Sequence, residues 1–219
     1  MSVERKDRST NKDRGRMKLL AICIGQAQRL AGKSYKTGID KTPVNAPVMI
    51  DPLGLVGDAV CNKKHHGGPD QAILLEGSLT LDWWAKELGR EVPFGMFGEN
   101  LVIDGLDNRD VAVGDRFQVG DVTFEATCPR SPCNTLAAKM GDLKFLKIFF
   151  KAARPGIYCR VIRPGIVSVG EAVRHEPYAG ERVSMPHLLA SVATRPSDAE
   201  IARFLAVPIG DRWRSKFEA

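Results

Sequence analysis

The 219-residue chain carries 32 Lys and Arg against 26 Asp and Glu, a net charge of +6, and is 43% hydrophobic. That suffices to bury one main core with a small appendage, and no apolar stretch approaches the roughly 20 residues that cross a bilayer. Half of the charge excess lies in residues 1–16, where Arg5, Lys6, Arg8, Lys12, Arg14 and Arg16 outnumber Glu4, Asp7 and Asp13. That segment has no apolar periodicity and reads as a disordered basic tail, so the remaining charge fits one anionic small ligand better than a nucleic-acid track. The five cysteines are odd in number and form no CxxC pair, which argues against a disulfide framework or a tetrahedral zinc site. Together with the absence of a hydrophobic leader core, they predict a reducing, cytoplasmic location.

In chain order, Lys18 to Ile24 has strand length and β-branched content, and Lys33 to Pro47 is polar and turn-rich. Lys63-Lys64-His65-His66-Gly67-Gly68-Pro69-Asp70 then precedes an apolar strand, Ala72 to Leu75. Its glycines allow backbone N–H groups to approach an oxyanion, which makes it a candidate phosphate-binding turn, although the spacing is not that of a Walker loop. Adjacent histidines in an extended chain point apart, so His65 and His66 do not predict a joint metal site. Ser78 to Gly89 reads as a helix with Ser78 as cap, its tryptophans in the core. Glu99 and Asn100, at the entry to the next strand, read equally as buried anchors or ligand contacts.

Val111 to Phe117 and Val167 to Val173 share a V-x-V-G-acid pattern, predicting two equivalent turns into barrel strands. Phe117 to Gly120 and Val122 to Thr127 form a hairpin that delivers the chain to Cys128-Pro129-Arg130-Ser131-Pro132-Cys133. Ser131 as N-cap with Pro132 following it places Cys133 in a helix's first turn. Unpaired amides there, with Arg130 just upstream, favour a thiolate, which is a nucleophile, a sulfur carrier or a soft metal ligand. The bland alternative is a small buried hydrophobe. Phe145 to Arg154 reads as helix, and Ile157 to Arg163 and Ile166 to Arg174 as strands. Three short helices follow, Met185 to Thr194, Ser197 to Ala206 and Gly210 to Phe217.

The ordered set T-G-I-D-K-T-P-V (Thr37 to Val44), G-L-V-G-D (Gly54 to Asp58), H-H-G-G-P-D-Q-A (His65 to Ala72), F-G-E-N-L (Phe97 to Leu101), V-G-D-R-F (Val113 to Phe117) and P-R-S-P-C (Pro129 to Cys133) resembles the MOSC domain, the module found at the C-terminus of molybdenum cofactor sulfurases. The resemblance is greatest to its stand-alone YiiM-like subgroup. It implies a β-rich α/β fold, a MOSC-type β-barrel with flanking helices over residues 17–177 and a three-helix appendage over 178–219. It further implies a molybdenum cofactor (Mo-molybdopterin), Cys133 as metal ligand, and reduction of N-hydroxylated compounds such as hydroxylaminopurine. Cofactor contacts are assigned on the matching positions to Thr37, Lys41, Lys64, His66, Gly67, Gly68, Glu99, Asn100 and Arg130, with His66 or Asp70 as proton relay. With no cysteine cluster or dinucleotide fingerprint, electrons must come from a separate reductase, and the substrate is a small molecule. A homodimer is what the family suggests. The alternatives are a sulfur carrier with a persulfide on Cys133, or a module that only binds and delivers the cofactor; the chain lacks the aminotransferase-like desulfurase domain that sulfurases carry.

Overall fold

The computed structural model describes residues 17–218, so the tail expected over residues 1–16 lies outside the described residues. Strand β1 (Leu19–Gly25) is followed by the two-residue pair β2 (Gln28–Arg29) and β3 (Lys36–Thr37), and β4 (Lys41–Val44) returns antiparallel to β1. β5 (Val48–Asp51) and β6 (Gly54–Leu55) form a separate hairpin. β7 (Ile73–Gly77), helix α1 (Ser78–Leu88) and β8 (Leu101–Ile103) make a parallel crossover. β9 (Arg116–Val119) and β10 (Val122–Pro129) are the expected hairpin. Helices α2 (Asn134–Met140) and α3 (Phe145–Ala152) precede β11 (Ile157–Arg163), whose bounds coincide with the predicted strand. β12 (Gly165–Val167), β13 (Val173–Glu176), α4 (Met185–Ala190), α5 (Asp198–Ala206) and α6 (Asp211–Phe217) complete the chain.

Eight strands form one sheet in the order β13-β9-β10-β11-β7-β8-β1-β4, and β12-β5-β6 form a second. The closed barrel is not found among the described residues: the large sheet curls, but β4 and β13 remain its two ends. The curl brings the start of β1 to the approach to β13, where Lys18 bridges Ala172 and the Leu19 N–H donates to the Glu171 carbonyl at 2.9 Å. At the other end, Pro43 pairs with Cys23, and a proline has no N–H to offer a further strand. The single strand expected over Ile166 to Arg174 is split, because Gly170 takes φ +90° in a turn between β12 and β13. The two V-x-V-G-acid turns do feed neighbouring strands, β9 and β13, which pair with Val119 opposite Val173.

The sheet's two faces bury different cores. On one lie Phe117, Phe124, Ile157 and Ile73, together with Met185, Leu188, Phe204 and Trp213 from the C-terminal helices, so those helices complete the main core. On the other, Trp84 of α1 packs against Phe97, Phe145 and Phe149 with centroids 5.4–5.7 Å apart. A bulge between Leu19 and Ala21 lets β1 serve both faces, with Leu19 and Ile22 in the first core and Ala21 and Cys23 in the second. The cap of α1 differs from expectation by one position. Gly77 rather than Ser78 is the N-cap of α1, while Ser78 accepts from the Gly105 N–H at 2.9 Å.

Fully buried Asp115 fastens the C-terminal segment to this frame. It accepts hydrogen bonds from the Ala112 and Tyr178 N–H groups at 3.0 and 2.8 Å, His175 Nε2 at 3.0 Å and Arg182 Nη1 at 2.9 Å. Burial pushes its carboxyl up, but these donors outweigh burial and hold it at about 2, below its ordinary 3.8. A carboxyl so depressed stabilises the fold above its unfolded value and loses that contribution as pH falls from about 4 towards 2. Asp115→Ala is expected to cost about 3 kcal/mol in urea unfolding at neutral pH, by leaving the donors around it without an acceptor. It should also flatten the acid limb of the stability curve; an unaltered unfolding midpoint would show that this knot does not hold the segment.

Candidate functional site

The corner where β10 leaves the sheet carries the site. Pro129 ends the strand, Arg130 and Cys133 follow, and the chain turns into α2. Cys133 is itself the N-cap of α2, with extended φ −136° and ψ 164°, and the helix begins at Asn134 rather than at Pro132. Its half-buried thiol opens on a cavity of about 320 Å³ together with His66, Gly67, Thr37, Lys41, Asn100 and Arg130, all expected there. Burial pushes the Cys133 thiol up, but the His66 imidazole, the Arg130 charge and the Leu136 N–H outweigh it, and the pKa falls from 9.0 to about 6. At neutral pH the sulfur is therefore chiefly thiolate.

Arg130 is 3% exposed, and its Nε has no hydrogen-bond partner. Nη1 donates to its neighbour's carbonyl, Ser131 O, at 3.2 Å, and the guanidinium stands over the Phe149 ring, 5.7 Å from its centroid. The buried carboxyl of Glu76 feels this charge and burial pushes its pKa up, but among the described residues it forms no salt bridge with Arg130. A guanidinium taken this far out of water is costly to bury without an anion, and the thiolate is the anion beside it.

Lys41 is also buried, but it is not free to neutralise a ligand. It pairs with Asp58, whose carboxylate also accepts from the Gly25 N–H at 2.8 Å and Asn100 Nδ2 at 2.9 Å. Asn100 Oδ1 accepts from the Leu74 N–H at 3.1 Å, so the network joins β1, β4 and β7 beneath the cavity. Burial lowers the Lys41 pKa, and Asp58 works against that.

Four of the expected contacts do not line this cavity. Lys64 is exposed on the turn beside it. Gly68 and Asp70 line a second cavity of about 190 Å³ against α6. Asp70 is held by Arg160 Nη2 at 2.9 Å and the Asp211 N–H at 2.8 Å, which leaves it no route to Cys133 as a proton relay. Glu99 is fully buried and accepts from the Gly95 and Phe97 N–H groups at 2.5 and 2.9 Å, clamping the preceding loop.

Other residues of the site escape a reading of the sequence. Tyr158 of β11 places its hydroxyl 3.3 Å from His66 Nδ1, and burial pushes its pKa up to about 12, so it holds its proton. Tyr35 bonds Thr135 across the mouth at 2.9 Å, and Lys139 of α2 donates to the Gly95 and Ile39 carbonyls at 2.7 and 3.1 Å. Arg212 of α6 brackets the histidine turn, reaching Gln71 Oε1 at 2.6 Å and Lys63 O at 2.8 Å. Asp58 lies in the quoted G-L-V-G-D run and Tyr158 in a predicted strand, but nothing local marks either as functional. Among the described residues no group of three His, Cys, Asp or Glu side chains could hold a bare metal ion.

A curled α/β sheet with a thiolate cysteine and a buried guanidinium at a strand-to-helix corner defines a thiolate-centred ligand pocket. The MOSC domain family matches residues 62–174, and the chain belongs to that family, on its YiiM-like side. It is 33% identical over 157 residues to the uncharacterized protein YflK of Bacillus subtilis (strain 168), covering 71% of each chain. It is 34% identical over 135 residues to YiiM of Escherichia coli K12, covering 60% of each. Over 160 residues it is 28% identical to a protein of Gibberella moniliformis named a reductase, spanning 71% of this chain but 28% of that one. The crystal structure of YiiM from Geobacillus stearothermophilus superposes with a TM-score of 0.77 at 26% identity, over 92% of this chain and 97% of that one.

Two outcomes follow from this geometry. Alkylation of Cys133 by iodoacetamide, followed by peptide mass spectrometry, should show a pH midpoint near 6, rising in His66→Ala, while buried Cys128 and Cys159 stay unmodified. A midpoint near 9.0 would mean that the corner does not activate the sulfur. Asp58→Ala should destabilise the fold by about 3 kcal/mol by stranding Lys41, with part of the loss recovered in Asp58→Ala/Lys41→Met. Full additivity of the two substitutions in denaturant unfolding would contradict the pairing.

Proposed function

We propose that this chain is a molybdenum-cofactor-dependent oxidoreductase that reduces N-hydroxylated compounds, with Cys133 as the protein's ligand to the metal. The observation that carries the reading is the pair at the corner: a thiolate beside a guanidinium that is buried without a carboxylate partner. A thiolate is a soft donor suited to molybdenum, and an unpaired buried cation suits the cofactor's anionic groups. Thr37 and Gly67 supply further lining within hydrogen-bonding chemistry of a pterin. When bound, the cofactor supplies the two-electron chemistry that converts R–NH–OH, two electrons and two protons into R–NH2 and water.

The chain's own part is ligation, charge balance and proton supply. Cys133 presents its sulfur from a fixed corner, and Arg130 balances negative charge there. Tyr158 holds a proton at its hydroxyl and passes it through His66 towards the departing oxygen, a path supported by their 3.3 Å contact. Lys41 keeps the floor rigid through Asp58 rather than acting on the ligand. Electrons come from a separate reductase, and we place residues 17–177 as the MOSC body and 178–219 as its helical appendage.

Protein made in a host competent for cofactor synthesis should carry stoichiometric molybdenum and convert hydroxylaminopurine to adenine with a supplied reductant. Cys133→Ala should lose the metal, and Tyr158→Phe should retain it while slowing turnover by about a hundredfold or more, the usual size of a general-acid contribution. Retention of metal and activity by Cys133→Ala would overturn the ligand assignment. A persulfide on Cys133 after treatment with a cysteine desulfurase, with no need for molybdenum, would favour sulfur transfer instead.

A further inference from the structure

The cavity has two ends of different character. Its deep end holds Arg130 and Cys133, and its mouth is rimmed by exposed residues to which the proposed chemistry gives no part. Tyr35 lines the mouth with 45% of its surface exposed, an aromatic ring left open among the described residues. Its hydroxyl is fixed to Thr135, two residues beyond Cys133, so the ring stands beside the reactive corner. Next to it, exposed Lys36 also lines the cavity. The opposite rim is the loop from Ala59 to His66, which carries exposed Lys63 and Lys64.

The two rims are joined where Gly38 meets the Ala59 carbonyl so closely that a Cβ on Gly38 would lie 1.9 Å from the oxygen. Nearby carboxylates do not discharge these lysines. Asp58 is committed to Lys41, and Asp40 to Lys139 at 3.2 Å. Lys63, moreover, has its carbonyl pinned by Arg212 at 2.8 Å, which holds the loop that carries it in place. An open aromatic face with Lys36 at the same cavity, and Lys63 and Lys64 exposed on the loop that forms its other rim, is the recognition chemistry of a planar base joined to a phosphate.

We infer that the cavity mouth recognises a nucleotide, its base stacked on Tyr35 and its phosphate held by Lys36, Lys63 and Lys64, so that an N-hydroxylated nucleotide is preferred as substrate over the free base. This rests on the reduction proposed above, but binding tests it separately. The full-length protein is titrated calorimetrically with adenine, adenosine and adenosine monophosphate at low and moderate salt. The monophosphate should bind about tenfold more tightly than adenosine, with the advantage shrinking as salt rises. Tyr35→Ala should weaken both ligands by about tenfold, and Tyr35→Phe, which keeps the ring, should not.

The variant Lys36→Ala/Lys63→Ala/Lys64→Ala should bind adenosine as before and lose the monophosphate advantage. All of these side chains are exposed, and an unchanged melting temperature confirms folding. Equal binding of adenosine and its monophosphate would overturn the inference. So would an advantage that survives the triple substitution and vanishes in Arg130→Ala, because the phosphate would then sit at the buried end. Monophosphate preference without any turnover of hydroxylaminopurine or its nucleotide would sink the proposed reduction and leave the mouth assignment standing. Turnover with no preference for the nucleotide would do the reverse.

Discussion

The site depends on one unfavourable placement, a guanidinium sealed from water with no carboxylate to meet it. Arg130 is held there by backbone that the fold fixes for other reasons: its N–H donates to the Gly156 carbonyl at 2.8 Å, and Pro129 before it pairs with Ile157. The side chain lies against Phe149, part of the aromatic core under the sheet. Removing such a cation from water costs several kcal/mol unless negative charge stands beside it. The Cys133 thiolate is the first instalment of that charge. The same field that steadies the sulfur is therefore available to an anionic ligand, so activation and binding have one electrostatic origin.

Around this centre the molecule separates tasks by location. The floor is rigid because Asp58 gathers Lys41, Asn100 and the Gly25 amide into one knot. Proton-bearing Tyr158 stands on β11 in the middle of the sheet, a position less mobile than a loop. The irregular parts, the Tyr35 hairpin and the histidine turn, sit at the mouth, and each is tied back by a long side chain. Lys139 reaches across to the strap over residues 39–40, and Arg212 to the turn. Rigid elements thus present the reactive groups, while loops braced from outside shape the entrance.

Much of this was legible in the chain because it is local. The hairpin before Cys133, strand Ile157–Arg163, the helix after Ser78 and the two echoing turns follow from periodicity and from glycines at positive φ. The importance of Cys133 could be read from its neighbours Arg130, Ser131 and Pro132, even though the cap proved to be the cysteine itself. What could not be read was which distant groups meet. Lys41 looks like a ligand-binding cation until Asp58 is found upon it, and Asp70 looks like a relay until Arg160 and the Asp211 amide claim it. Glu99 resolves in favour of anchoring, because two amides of its own loop occupy its carboxylate. That the sheet stays open, rather than closing into the expected barrel, was equally hidden: Pro43 limits one edge, and the chain leaves the other for the helices.

The bracing of the histidine turn by Arg212 has a consequence for biogenesis. The partners of those bonds are separated by 141 and 149 residues of chain. A polypeptide leaving the ribosome amino end first can assemble most of its strands well before this arginine emerges. The wall bearing His66 thus gains this support only after the strands that precede α6 have been made, and any prosthetic group seated against that wall before then would meet a turn that is not yet braced.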